Sequence, residues 1–100
     1  MEVMKRMLAG FALFSIAAWG QEPTRADWEK LNSEVVRLYG QGKFAEGSQV
    51  AKLGLALAEK IFGAEHPTTG TSLNNLALLY QSQGAYAKAE PLYLRALAIR

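Results

Sequence analysis

Apolar residues recur every three or four positions from residue 25 onward, which is the spacing of one face of an amphipathic helix. The first such segment runs from about Arg25 to Gln41. Thr24 precedes it as an N-cap candidate, and Asp27 three residues later favours the positive end of the helix dipole. Gly42 can take the left-handed conformation that closes a helix. The pattern therefore predicts a helix that begins at Arg25.

A second apolar stripe follows Lys43 and ends at Gly63. Its large side chains are predicted to face a core: Phe44, Val50, Leu53, Leu57, Ile61 and Phe62. The residues up to Pro67 form a predicted turn, and His66 is expected to help start the helix that follows, because proline is favoured in the first helical turn.

Two further helices are predicted, one from about Pro67 to Gly84 and one from about Tyr86 onward. Small residues stand where two helices must approach closely, at Ala77, Ala89 and Ala96. Tyrosines are expected to fill the gaps between the helices, at Tyr80, Tyr86 and Tyr93.

The two predicted helix pairs repeat each other. The aligned positions, each pair 42 residues apart, are Leu31 over Leu73, Asn32 over Asn74, Gly42 over Gly84, Phe44 over Tyr86 and Leu55 over Leu97. A fixed period of this size is typical of a solenoid, in which a supersecondary unit recurs because a single unit cannot bury its own apolar face. The sequence predicts an all-α fold of α-α hairpin repeats.

The second unit resembles a tetratricopeptide repeat. It contains L-x-x-L-A-x-x-Y followed by G-A-Y-x-x-A-x-x-x-Y-x-x-A. The 42-residue period, the string SLNNLALLY and the turn GAEHPTT are similar to the kinesin-light-chain-like type of this repeat, over roughly residues 28 to 100. The resemblance implies a short right-handed solenoid.

The first unit departs from the repeat signature. Glu34 replaces the second leucine, Val35 the small residue, Leu38 the tyrosine, Gly47 the first alanine and Ala51 the large aromatic. Atypical terminal repeats are expected as caps. Gly47 and Gly54 should each cost about 0.5 to 1 kcal/mol relative to alanine inside a helix.

The first twenty residues have the order of a secretory signal. MEVMKR is followed by the uncharged MLAGFALFSIAAW and then by GQEPT. The apolar run is short of the roughly 20 residues that a transmembrane helix needs. Ala18 and Gly20 provide the small residues of a cleavage site after Gly20. We expect export to the bacterial periplasm or medium without a stable membrane anchor; the alternatives are a first amphipathic helix or an uncleaved anchor.

The expected domain organisation is a signal peptide over 1–20, a degenerate helix pair with its turn over 21–66, and a second helix pair over 67–100. By the 42-residue register Arg100 corresponds to Ala58, so the last helix is expected to be truncated. The face that carries Leu92, Leu97 and Ile99 would then lack its next neighbour. The alternative is a complete small protein that self-associates through this open end.

Charge and composition exclude several function classes. The formal net charge is +2, and removal of the signal leaves nine basic and eight acidic side chains. This near balance lacks the excess of basic residues that nucleic-acid binding requires. Cysteine is absent and His66 is the only histidine, so neither a thiolate or two-histidine metal site nor a cysteine-histidine catalytic pair can be assembled. Glycine-rich phosphate loops are missing as well. We expect no catalysis, no metal and no cofactor.

The resemblance implies that the first helix of each pair lines a concave face that holds a peptide or protein partner. The amides on these helices are Asn32, Asn74, Asn75 and Gln81. An amide offers both a donor and an acceptor and can pair with a peptide main chain without selecting its side chains. The alternative is a solvated face or a bond between neighbouring helices. The favoured function is an interaction scaffold; the competitor is the recognition arm of a larger enzyme.

Overall fold

The computed structural model describes residues 22–99, which fold into four helices. The helices are α1 (Arg25–Gly40), α2 (Phe44–Phe62), α3 (Pro67–Ser82) and α4 (Tyr86–Ala98). Each helix packs against the next in successive hairpins, and α1 also touches α3. The all-α solenoid prediction is confirmed. The predicted signal over 1–20 lies outside the described residues.

The ends of the helices follow the local sequence. The Thr24 backbone amide donates to Asp27 Oδ2 at 2.8 Å, which confirms the predicted cap of α1. His66 is the N-cap of α3, and its Nδ1 accepts from the Thr68 amide at 3.0 Å, as expected for a residue that starts this helix. Gly42 adopts the predicted left-handed conformation with a φ of 74°.

The core lies between the two helix pairs. Its buried members are Val35, Ala51, Leu76 and Leu79. Half-buried apolar side chains surround this cluster, among them Phe44, Val50, Leu55, Tyr80 and Leu92. Because the cluster takes residues from α1, α2 and α3, neither pair buries its apolar face without the other.

The buried stripe of α2 consists of small residues: Gly47, Ser48, Ala51, Gly54 and Ala58. A Cβ added at Gly47 would lie 2.9 Å from Leu79 Cδ2, so a larger residue at this point would require the end of the Leu79 side chain to shift. The same addition at Gly54 meets nothing closer than 3.9 Å, so close packing does not require glycine there. The predicted core position Leu53 is wrong: it is 60% exposed, because it lies on the opposite side of α2 from the small residues.

Trp28 anchors α1 to α3. Its indole Nε1 donates to Ser72 Oγ at 2.7 Å, and its ring meets Phe62 edge to face with centroids 6.4 Å apart. Both polar atoms are buried. This bond joins residues from the two repeat units and, with the leucines of the core, sets the spacing between them.

The helix contacts of the second unit agree only in part with those predicted from the sequence. Ala77, Ala89 and Ala96 are buried as predicted. Tyr86 is 65% exposed and fills no gap, because the surface beside it is uncovered.

Two residues assigned to the open face are covered instead. Leu92 is half-buried against the core, and the Ile99 side chain packs 3.7 Å from the position of a Gly70 Cβ. Leu97, by contrast, is 56% exposed as expected. Leu92 lies on the side of α4 that packs against the core, whereas Leu97 lies on the exposed side of the same helix. Between residues 22 and 99, no helix combines the length and apolar character needed to cross a membrane.

Replacing Leu79 by alanine is expected to lower the free energy of unfolding by about 2 to 5 kcal/mol, because a fully buried side chain leaves a cavity between the units. The control is Leu53→Ala, which removes a 60% exposed side chain and should cost no more than about 0.5 kcal/mol. Urea denaturation followed by circular dichroism measures both. Equal losses would contradict the assignment of Leu79 to the core.

Candidate functional site

A pair of asparagines joins α1 and α3 along one face. Asn75 Nδ2 donates to Asn32 Oδ1 at 2.6 Å, and both residues are half-buried. The bond leaves the Asn32 amide nitrogen and the Asn75 carbonyl oxygen without a side-chain or backbone partner in the described part of the chain. One hydrogen-bond donor and one acceptor therefore remain available where α1 meets α3.

An apolar cleft of about 100 Å³ adjoins this pair and is lined by Val35, Val36, Tyr39, Asn75, Leu78 and Leu79. Val36 is 59% exposed, Tyr39 38% and Leu78 37%. Because these side chains lie side by side on α1 and α3, they form a continuous apolar patch. We call the surface formed by Asn32, Val36, Tyr39, Asn75 and Leu78 the α1–α3 groove.

Sequence reasoning missed the apolar half of the groove. Val36 directly follows the buried Val35, and because adjacent helical residues point about 100° apart, Val36 falls outside the buried stripe of α1. Leu78 occupies the position 42 residues after Val36 and lies off the buried stripe in the same way. The signal that could have found them is this pair of apolar residues out of phase with the core in both units.

The other two predicted amides lie elsewhere on α3. Gln81 Oε1 accepts from the Tyr93 hydroxyl at 2.8 Å, so it is tied to α4. Asn74 is exposed and lines a hollow of about 260 Å³ together with Tyr93, Ala96 and Leu97. The four predicted amides therefore divide between two places, and only Asn32 and Asn75 meet in one groove.

The groove carries no formal charge, and the nearest ion pair lies beside it on α1. Arg37 Nε donates to Glu34 Oε1 at 3.0 Å, and this hydrogen bond lowers the pKa of the Glu34 carboxyl. The two side chains are 52% and 41% exposed, so solvent screens the attraction. The pair adds a charged rim and leaves the groove itself neutral.

The groove offers hydrogen-bonding and apolar side chains: two amides, two aliphatic groups and one phenol. His66 already accepts a hydrogen bond as the cap of α3. Across residues 22–99, no group of three or more histidine, cysteine, aspartate or glutamate side chains is placed to hold a metal ion.

The family model of the tetratricopeptide repeat matches residues 37–100, which is more than half of the chain. The match includes the whole of α2, α3 and α4 and the last turn of α1. A search of the curated proteins found no match.

Asn75→Ala is expected to lower the free energy of unfolding by about 1 kcal/mol, because it removes a half-buried hydrogen bond between the two units. Asn74→Ala is the matched control: Asn74 is exposed on the same helix and should change stability by less than about 0.5 kcal/mol. Thermal and urea unfolding measure the loss of stability in each of the two variants. If both variants lost the same stability, the Asn32–Asn75 bond would not hold the units together.

Proposed function

The chain belongs to the tetratricopeptide repeat family, and we propose that it is an interaction scaffold that holds a peptide segment of a partner protein in the α1–α3 groove. Repeats of this family generally mediate protein–protein interaction. The observation that carries the proposal is the half-buried Asn32–Asn75 pair beside an exposed apolar cleft. A polar strip next to an apolar one matches an extended peptide, which has a polar main chain and protruding side chains.

In this proposal the asparagine pair forms hydrogen bonds with the peptide main chain. Asn32 Nδ2 donates to a peptide carbonyl, and Asn75 Oδ1 accepts from a peptide N–H. The bond between the two amides already fixes their orientation. Because the side chains are held before the peptide arrives, binding costs less side-chain entropy than it would with free rotamers.

The apolar cleft selects one side chain of the peptide. Its volume of about 100 Å³ suits a single aliphatic group, which would bury apolar surface against Val36, Tyr39 and Leu78. Each buried methylene contributes about 0.8 kcal/mol. Because the groove bears no Lys or Arg, a clamp for a peptide's terminal carboxylate is not proposed. The preferred ligand is a neutral, extended segment with an aliphatic residue.

The finer features belong to the same proposal. The 42-residue period supports a kinesin-light-chain-like type of repeat, with units over 21–66 and 67–100. The near balance of charge supports a protein partner over a nucleic acid. The proposed role is non-catalytic, since it needs only hydrogen bonds and apolar contact. We also propose that the protein is exported after removal of residues 1–20.

The peptide groove is tested by selecting twelve-residue random peptides on the chain and measuring the affinity of the enriched sequences. Val36→Glu is expected to weaken their binding at least tenfold, because an aliphatic side chain packed in the cleft would desolvate the unpaired carboxylate. Val36 is 59% exposed, so the variant should fold normally. Leu53→Glu is the control, at a position 60% exposed on α2 outside the groove. Peptides that bind both variants as tightly as the parent would exclude the groove.

Export is tested by expressing the chain in a bacterium, fractionating the cells and measuring the mass of the protein. The expected product lies outside the cytoplasm and begins at Gln21. Replacing Ala18 and Gly20 by lysine should block cleavage, because a signal peptidase requires small side chains there. An uncleaved parent chain in the cytoplasm would refute the proposal. The variant controls for adventitious proteolysis, which would cut both chains alike.

A further inference from the structure

A small cavity lies where α1, α2 and α3 meet, and all three helices contribute to its walls. Trp28, Gly54 and Ser72 line it and are buried, and Asn32 and Asn75 line it and are half-buried. Its volume of about 10 Å³ is close to the least space that holds a single water molecule. The cavity is therefore too small for any larger ligand.

The hydroxyl of Ser72 is bonded differently from the other buried hydroxyls. In the described part of the chain the buried hydroxyl residues are Ser48, Thr69 and Ser72. Ser48 and Thr69 each donate to a backbone carbonyl, at 2.8 Å and 2.6 Å. Ser72 Oγ instead accepts from Trp28 Nε1 at 2.7 Å, and its own proton has no acceptor among residues 22–99. Since Ser72 is only 4% exposed, this donor indicates a ligand inside the cavity.

The asparagine pair adds two more polar groups to the same cavity. The bond from Asn75 Nδ2 to Asn32 Oδ1 leaves the Asn32 nitrogen and the Asn75 oxygen able to form further hydrogen bonds. Each of these atoms takes two hydrogen bonds, so a bond into the cavity leaves one for a peptide in the α1–α3 groove. With Ser72, the lining offers two donors and one acceptor. Three partners is the number that a buried water molecule typically has.

Gly54 keeps space open beside these polar groups. At Gly47 the side chain of Leu79 occupies the place of a Cβ, whereas a Cβ at Gly54 would meet nothing closer than 3.9 Å. Packing does not require glycine at position 54, although glycine destabilises a helix interior relative to alanine. A methyl group there would take up room in a cavity of only about 10 Å³. A small ligand in the cavity accounts for the glycine.

We propose that this cavity is a binding site for one water molecule that joins α1 to α3 beside Gly54 of α2. Ser72 Oγ and Asn32 Nδ2 donate to the water oxygen, and the water donates to Asn75 Oδ1. Water fits because it both accepts and donates, as this mixed lining requires. An ion of either sign would be buried among neutral groups, which is costly.

The water continues a hydrogen bond that the protein already makes. Trp28 donates to Ser72, Ser72 donates to the water, and the water bonds the asparagine pair. One polar chain thus crosses the boundary between the two units, from a buried indole to the edge of the α1–α3 groove. The water holds the two amides in the orientation that their mutual bond sets.

A crystal structure of the chain, at a resolution that shows ordered water, is the direct test. We expect electron density for one water molecule within about 3 Å of Ser72 Oγ and of an amide atom of Asn32 or Asn75. A cavity without such density would overturn the proposal.

Nuclear magnetic resonance tests the same site in solution, through cross-relaxation between water and the Trp28 indole proton. The chain has two tryptophans, so the measurement uses Trp19→Phe, which leaves Trp28 as the single indole. We expect a cross-peak from a bound water, because the water lies one hydrogen bond beyond Ser72 from the indole. A missing cross-peak would contradict the proposal.

Gly54→Ala separates a bound water from exchange of the Ser72 hydroxyl proton with solvent, which would give a similar signal. The variant should fold, since its Cβ meets nothing closer than 3.9 Å, and it should lose the cross-peak because the methyl group takes the space of the water. Gly40→Ala is the matched control: its Cβ also has room, and Gly40 does not line the cavity. Its cross-peak should remain. A cross-peak that persists in Gly54→Ala would belong to the hydroxyl and overturn the proposal.

Val36→Glu distinguishes the water site from the peptide groove. Val36 lines the groove and not the cavity, so this variant should lose peptide binding and keep the cross-peak. A chain that binds peptides but shows no bound water would refute the water site alone. A chain that shows the water but binds no peptide would refute the groove alone.

Discussion

The packing of α3 against the small-residue face of α2 is the contact on which the remaining structure depends. Leu79 approaches α2 at Gly47, where a side chain of any size would have to displace it. This approach brings α3 close enough to α1 for Trp28 to reach Ser72 and for Asn32 to reach Asn75. Glycine weakens an isolated helix, but here the cost is offset by apolar burial between the units.

The fold could be predicted because its determinants are local and periodic. The cap at Thr24, the turn at Gly42 and the start of α3 at His66 each follow from residue types that favour one backbone geometry. Leu53 shows where this reasoning fails. The hydrophobic period assigned it to the core, yet the face of α2 that packs is made of small residues that a search for large side chains overlooks.

The site was less predictable than the fold because it depends on contacts between units. The asparagine positions followed from the family resemblance, but no local rule says that Asn75 bonds Asn32 while Gln81 bonds Tyr93. Val36, Tyr39 and Leu78 were missed for a different reason. In a single amphipathic helix an extra apolar residue looks like part of the core, and the place of Val36 and Leu78 off the buried stripe becomes evident only when the two units are compared.

The Asn32–Asn75 bond crosses the boundary between the units and also forms one edge of the groove. A peptide bound to these amides, as proposed, would contact both units at once and would favour the arrangement in which they are stacked. By thermodynamic linkage, whatever tightens the stacking raises the affinity of the groove by the same factor by which the ligand tightens the stacking. Through this reciprocity, a peptide bound as proposed would stiffen the packing of the two described units against each other.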